Sequence, residues 1–147
     1  MNTAHDAFRS AKLYTDNILY CLVHLPPAAI TAAAGVLAEI GAPFSALIAD
    51  KDEVSLLIPQ DDWEEFAHRL PDHKVKANYR LITFDLVLDF DLVGFLAIVS
   101  KILAEANVSV LALSAFERDH VLVQAGQFDT AWAALRRAQT GEDGGWV

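Results

Sequence analysis

The residue types best equipped for chemistry gather in two places. Glu117-Arg118-Asp119-His120 sets two carboxylates, a guanidinium and an imidazole in one run, a group that in a cleft could move protons. Upstream, "DFDLVG" (89–94) places Asp89 and Asp91 ahead of Gly94. Neither comes with catalytic machinery. Among His5, His24, His68, His73 and His120 no pair has the H-x-x-x-H or H-x-x-E-H spacing that puts ligands on one helical face. His68 and His73 also straddle Pro71, so no metal site is expected. A hydrolase would need an exposed nucleophile on a strained turn, but there is no G-x-S-x-G, and Ser55, Ser100 and Ser114 fall in apolar segments. "GEDGGWV" (141–147) has no strand before it and no lysine after it, so it is not a phosphate loop. The expectation is a protein with no catalytic residues, no metal and no cofactor.

The elements that must position these residues are those of a small, apolar chain. With 147 residues, 54% hydrophobic and 21% charged, it is one domain or two very small ones, able to bury a core and unlike a disordered chain. The net charge of −9 argues against nucleic acid and against an anionic membrane face, since both draw affinity from Lys/Arg surfaces. Cys21 is the single cysteine, which excludes an internal disulfide; it is expected to pack in a strand as a small hydrophobe. "MNTAHDAFRSAKLY" lacks the basic-then-apolar pattern of a signal peptide. Ile18–Ala38 is uncharged and long enough to span a bilayer, but Pro26-Pro27 would break such a helix. It reads as strand then helix, and the expected setting is the cytoplasm.

The chain repeats itself. Leu37-Ala38-Glu39 and Leu103-Ala104-Glu105 recur at a spacing of about 66 residues. Asp52-Glu53-Val54 then falls on Asp119-His120-Val121 after a one-residue slip, and Trp63 and Trp132 each open an amphipathic run. The first unit reads as a strand Ile18–Leu25, a helix Ala28–Ile40, strands Phe44–Ala49 and Val54–Pro59, and a helix capped by Asp61 or Asp62. The second reads as a strand Arg80–Asp89 and a helix Leu92–Ala106 whose apolar face is Leu92, Leu96, Val99, Leu103 and Ala106. Strands Ser109–Phe116 and Val121–Gly126 and a helix Asp129–Ala138 follow. Lys74–Lys76 can add a strand to the first unit. The implied division is 1–16 as an N-terminal extension, 17–77 and 78–140 as the two units, and 141–147 as a tail. Two strand-length runs joined by a few polar residues make a hairpin, so the charged run 117–120 reads as its solvated turn, matching "IADKDEVSLL" in the first unit.

Strand-helix-strand-strand-helix-strand is the ferredoxin-like order, so the fold class is α+β: two βαββαβ units with adjacent antiparallel sheets. The second unit is more specific. "DFDLVG", a helix ending "LAEAN", the strand "VSVLALSAF" and "DHVLV" together resemble the ACT domain family, best over 79–138, and in particular small tandem-ACT proteins related to the regulatory region of aspartate kinase. The first unit departs from the pattern: Ala28 stands where the turn glycine would be, and Pro43 enters the second strand.

The resemblance implies regulation: an amino acid bound at the seam between two ACT units, and no catalysis. Carried over by position, the ligand-binding candidates are Asp89, Asp91, Val93 and Gly94 in the turn, Asn107 and Val108 at the second strand, and Ser114 further off. Helix-start N–H groups would take the carboxylate and an Asp the ammonium. Each residue also has a structural role open to it: Asp91 as the cap of a helix from Leu92, Gly94 as a point of close approach, Asn107 as a left-handed C-cap. A structural or protein-interaction domain without ligand is the alternative. The apolar composition points to a homodimer. After the last helix only "QTGEDGGWV" remains, so the second sheet should be completed by another segment, such as Lys12–Tyr14.

Overall fold

The computed structural model describes residues 3–141. In chain order its elements are α1 (Ala4–Ser10), β1 (Lys12–Tyr14), β2 (Tyr20–Leu25), α2 (Ile30–Ile40), β3 (Ala46–Ala49), β4 (Val54–Pro59), α3 (Gln60–Phe66), β5 (Lys74–Asp85), α4 (Phe95–Glu105), β6 (Val110–Ser114), β7 (Asp119–Gln124) and α5 (Phe128–Thr140). The chain divides into two compact units, one being Ile18–Tyr79 and the other comprising residues up to Asn17 and from Arg80 onward.

In the unit Ile18–Tyr79 the strand order is β3-β4-β2-β5, and every pair is antiparallel. β2 and β4 are in register from Tyr20↔Pro59 to Leu25↔Val54. Side chains of a strand alternate between faces, so Cys21, Val23 and Leu25 share one face, and all three are fully buried together with Val54, Leu56 and Ile58. Ala33 and Val36 of α2, Trp63 of α3 and Leu70 cover that face. Pro26-Pro27 ends β2 and opens a 3-10 turn over Pro27–Ala29 before α2, which suits a residue without an N–H at a helix start. α2 stops at Gly41, whose φ of 59° is the left-handed cap position. Asp61 and Asp62 do not cap α3: Pro59 occupies that position, and both acids lie in the first turn, where the dipole favours them. Lys74–Lys76 does add a strand here, as the start of β5. The strand therefore starts well before the Arg80 read from the sequence.

In the other unit the order is β6-β7-β5-β1. β1 pairs antiparallel with the end of β5, Lys12↔Asp85 through Tyr14↔Thr83, so the segment expected to complete the sheet does so. The expected lack of a strand at 145–147 concerns residues outside those described. Residues 3–16, read from the sequence as an extension, contribute both a helix and a strand to this unit. Phe8 of α1 is 1% exposed and meets Phe84 and Phe95, with ring centroids 6.4 Å away in each case; Phe84 and Phe95 stand 5.4 Å apart, edge to face. Gln139 Nε2 donates to the carbonyls of Phe8 (2.9 Å) and Ala11 (2.6 Å), and Arg80 donates to the Asp16 carbonyl (2.7 Å). Val99, Leu103, Val121, Val123 and Leu135 complete the core, each fully buried aliphatic contributing about 1.5–3 kcal/mol.

Several boundaries differ from the sequence reading, and those around the loop 86–94 and the hairpin after it bear most on the site. α4 starts at Phe95 rather than Leu92, and its buried face is Phe95, Ile98, Val99, Ile102 and Leu103. Val99 and Leu103 are common to the expected stripe, but Leu92 and Leu96 give way to Phe95, Ile98 and Ile102. A helix this rich in leucine and isoleucine offers more than one apolar stripe, and only packing selects between them. β5 ends at Asp85, which leaves 86–94 as a loop. β6 is trimmed to Val110–Ser114, paired with β7 from Val110↔Val123 to Ser114↔Asp119.

The architecture is mixed α/β around antiparallel strands, consistent with a ferredoxin-like fold. The two hairpins are also closed alike: Asp50 N–H donates to the Glu53 carbonyl (3.0 Å), and Ala115 N–H to the Arg118 carbonyl (2.9 Å).

Candidate functional site

The loop 86–94 is the part of the molecule that the sequence singles out, and the backbone explains its shape. Leu88 N–H donates to the Glu117 carbonyl (2.8 Å), tying the loop to the β6–β7 hairpin tip, and Leu92 N–H closes a turn onto the Asp89 carbonyl (3.1 Å). The chain then reverses at Gly94, with φ 96° and ψ 5°. This is the left-handed region that side-chain-bearing residues adopt only at a cost. Gly94 is the N-cap of α4 and supplies no side-chain cap. The N–H groups of the first turn have no acceptor within the helix. Asp91, expected as the cap, lies three residues too early and is exposed.

Two depressions flank this loop and share Leu92. The first, about 600 Å³, is lined by Thr3, Ala4 and His5 from the start of α1, by 91–94, and by Ala97 and Ile98 of α4. Space above Gly94 is open: a Cβ built there would meet nothing nearer than the Ala4 Cβ, at 3.9 Å. The second, about 220 Å³, is lined by Leu88, Asp89, Phe90, Leu92, Phe95 and the hairpin tip 114–119.

The expected residues are thus distributed over three places. Asp91, Val93 and Gly94 share the first depression, and Asp89 and Ser114 share the second. Asn107 and Val108 join neither. They follow the other end of α4, and eleven residues of helix separate them from Gly94 by roughly 16 Å. Asn107 is in the left-handed conformation (φ 60°) just beyond the C-terminus of α4, the structural role considered for it, and its carbonyl accepts from Gln127 Nε2 (3.2 Å). Val108 is 6% exposed and part of the core.

The charged run at the hairpin tip is held by local pairing. Arg118 Nε donates to Asp85 (2.8 Å) and Nη1 to Glu117 (3.2 Å), and Ser114 Oγ donates to Asp119 (2.6 Å). The hydrogen bond and charge of Asp85 hold the Arg118 guanidinium above its usual range. His120 turns inward, with Nδ1 2.8 Å from the buried Thr83 hydroxyl. Burial lowers its pKa, the Arg118 charge adds to this and the Asp119 charge opposes it. Cys21 is fully buried, and desolvation pushes its thiol up to about 12, which makes it unreactive. Among the described residues no three His, Cys, Asp or Glu are grouped to hold a metal ion, and no helix is long and apolar enough to cross a membrane.

Sequence reasoning missed Thr3 and His5, and nothing in the sequence could have found them: they reach the loop only because α1 packs against α4 and α5. It also missed Phe90 and Phe116. The signal was visible for Phe90 alone, since a phenylalanine between two aspartates at a turn has no core to enter.

Comparison with known proteins bears on the family and the fold. Residues 74–137 match the model of the ACT domain family, so an ACT domain is found over β5 to α5. No curated protein matches the chain. Among solved structures, the chain is similar to a protein from Agobacterium tumefaciens (25% identity, 88% of this chain and 89% of that one, TM-score 0.70). It is also similar to the aspartokinase alpha and beta subunits (14%, 88% and 98%, TM-score 0.71). A third is the ligand-free form of the regulatory subunit of aspartate kinase from Thermus thermophilus (12%, 86% and 97%, TM-score 0.65). At 12–14% identity these last two speak to the fold alone.

Proposed function

We propose that this protein is a non-catalytic regulatory module that binds a small ligand, an amino acid, where ACT units meet. The observation that carries this reading is the ACT match over 74–137 coinciding with an uncapped helix start at Gly94 that opens onto a cleft of about 600 Å³. The free N–H groups of α4 suit a carboxylate. Asp91, with no ion pair among the described residues, suits an ammonium. The fold likeness to the regulatory subunit of aspartate kinase from Thermus thermophilus supports a regulatory role.

Asn107 and Val108 enter this reading only across a seam, contributed by a facing ACT unit. The reading therefore includes a tandem arrangement of ACT units in 17–77 and 78–140 and a homodimer in the cytoplasm. Sedimentation of a monomer at high micromolar concentration would remove the dimer.

A thermal-shift screen against the twenty amino acids tests the ligand. At about a hundred times its dissociation constant, a ligand stabilises the fold by roughly 2.7 kcal/mol, a rise of about 5–10 °C for a chain of this size. Asp91→Ala, at an exposed position that is not a cap, should melt within about 0.5 kcal/mol of wild type yet lose most of the ligand response. Gly94→Val should fold and respond less, its branched side chain crowding the carboxylate. If no amino acid moves the wild-type transition by a degree or so at millimolar concentration, the reading fails. A structural or protein-interaction domain then takes its place, a role that the exposed Phe90–Phe116 pair favours on its own account.

A further inference from the structure

Phe90 and Phe116 are 75% and 78% exposed, yet their rings meet edge to face with centroids 4.8 Å apart. One comes from the loop after β5 and the other from the tip of the β6–β7 hairpin, and the Leu88–Glu117 backbone hydrogen bond holds the two segments together. Single exposed hydrophobic residues are ordinary on any protein surface. Two phenylalanines from separate segments, fixed against each other over a depression lined by Leu88, Leu92, Phe95 and Ala115, form a patch of the kind that marks an interaction site.

The rim decides what such a site takes. Asp89, Glu117 and Asp119 line the same depression with one cation, Arg118, which is already engaged by Asp85 and Glu117. Asp89 has no ion pair among the described residues. Ring faces carry negative quadrupole density, so aromatic faces beside carboxylates attract an ammonium or guanidinium group. A second copy seated on the same patch by twofold symmetry would bring two acidic rims together, a like-charge contact that interfaces avoid.

We propose that the Phe90–Phe116 pair is a docking platform for a basic segment of a partner protein. An arginine or lysine of that segment lies over the rings and between Asp89, Glu117 and Asp119, and neighbouring apolar residues fill the depression. The platform adjoins the cleft at 91–94 and shares Leu92 with it, but does not depend on a ligand there.

The probe is an acetylated peptide of alternating arginine and leucine, with an alternating glutamate–leucine peptide as control, titrated by NMR and calorimetry in about 0.15 M salt. The arginine peptide should bind, shift the ring resonances of Phe90 and Phe116, and weaken in about 0.5 M salt. Phe90→Ser with Phe116→Ser should weaken it about tenfold or more without lowering the melting temperature, since both side chains are exposed. Asp89→Asn with Asp119→Asn should weaken it several-fold. Asp50→Asn with Asp52→Asn, on the other hairpin, should not. Absence of binding, equal binding of the glutamate peptide, or binding unchanged by the double serine variant would each overturn the proposal. A wild-type dimer that Phe116→Ser dissociates would also overturn it, by making a second copy the occupant.

Discussion

One substitution made at two glycines tests whether the backbone at the head of α4 is as described. Gly94 sits at φ 96° with open space around it, so a methyl group meets no obstacle, and the whole cost of Gly94→Ala is the left-handed backbone. That cost is roughly 1–2 kcal/mol. Gly35 lies inside α2, exposed, with ordinary helical φ and nothing within 4 Å of a built Cβ. There alanine restricts the unfolded chain and suits the helix, so Gly35→Ala should stabilise by about 0.5–1 kcal/mol. For a chain of 147 residues, one kcal/mol is worth about 2–4 °C of melting temperature. Differential scanning calorimetry should therefore show Gly94→Ala melting roughly 2–8 °C below wild type and Gly35→Ala about 1–4 °C above it. Shifts of the same sign would refute the reasoning. If Gly94→Ala were neutral, the turn into α4 would not be left-handed, and the open helix start on which the proposed ligand site rests would be lost with it.

Leu13 of β1 is 6% exposed within the core that includes Phe84, so Leu13→Ala should cost about 2–4 kcal/mol, measured by urea unfolding. An effect below about 0.5 kcal/mol would mean that β1 is not part of the fold. His120 gives a pH signature. Its folded pKa lies below the ordinary 6.5, so the unfolded chain binds the proton first, and stability falls as pH drops through about 6.5 until the folded pKa is reached. Melting temperatures from pH 8 to pH 5 should show this decline in wild type and less of it in His120→Gln; identical profiles would count against the assignment.

Much of the architecture was legible because it rests on local physics. The apolar runs of strand length became β2, β4, β6 and β7, and Pro26-Pro27 separated strand from helix where proline chemistry requires it. The charged run 117–120 proved to be a hairpin turn because two apolar runs joined by a few polar residues have no other good arrangement. Asn107 was readable as a left-handed helix end, since asparagine tolerates that conformation at modest cost. The start of α4 was not. Asp91 is a good N-cap by type, but the helix begins where Gly94 permits the chain to reverse, and a glycine at positive φ is indistinguishable in sequence from one that merely avoids a clash.

What the sequence by itself determined was the ferredoxin-like order of elements, their apolar faces, the absence of recognisable catalytic spacing, and the acidic loop as the place to look. What only the tertiary structure decided was which residues share that place. α1 brings Thr3 and His5 to Asp91 from a distance along the chain that no periodicity records. The length of α4 sets Asn107 and Val108 at the opposite end of that helix from Gly94. Phe90 and Phe116 become a pair only through the Leu88–Glu117 hydrogen bond between two turns. Periodicity encodes what a segment does with its own neighbours, whereas a site is an encounter between segments, fixed by packing that closes only when the whole unit is folded.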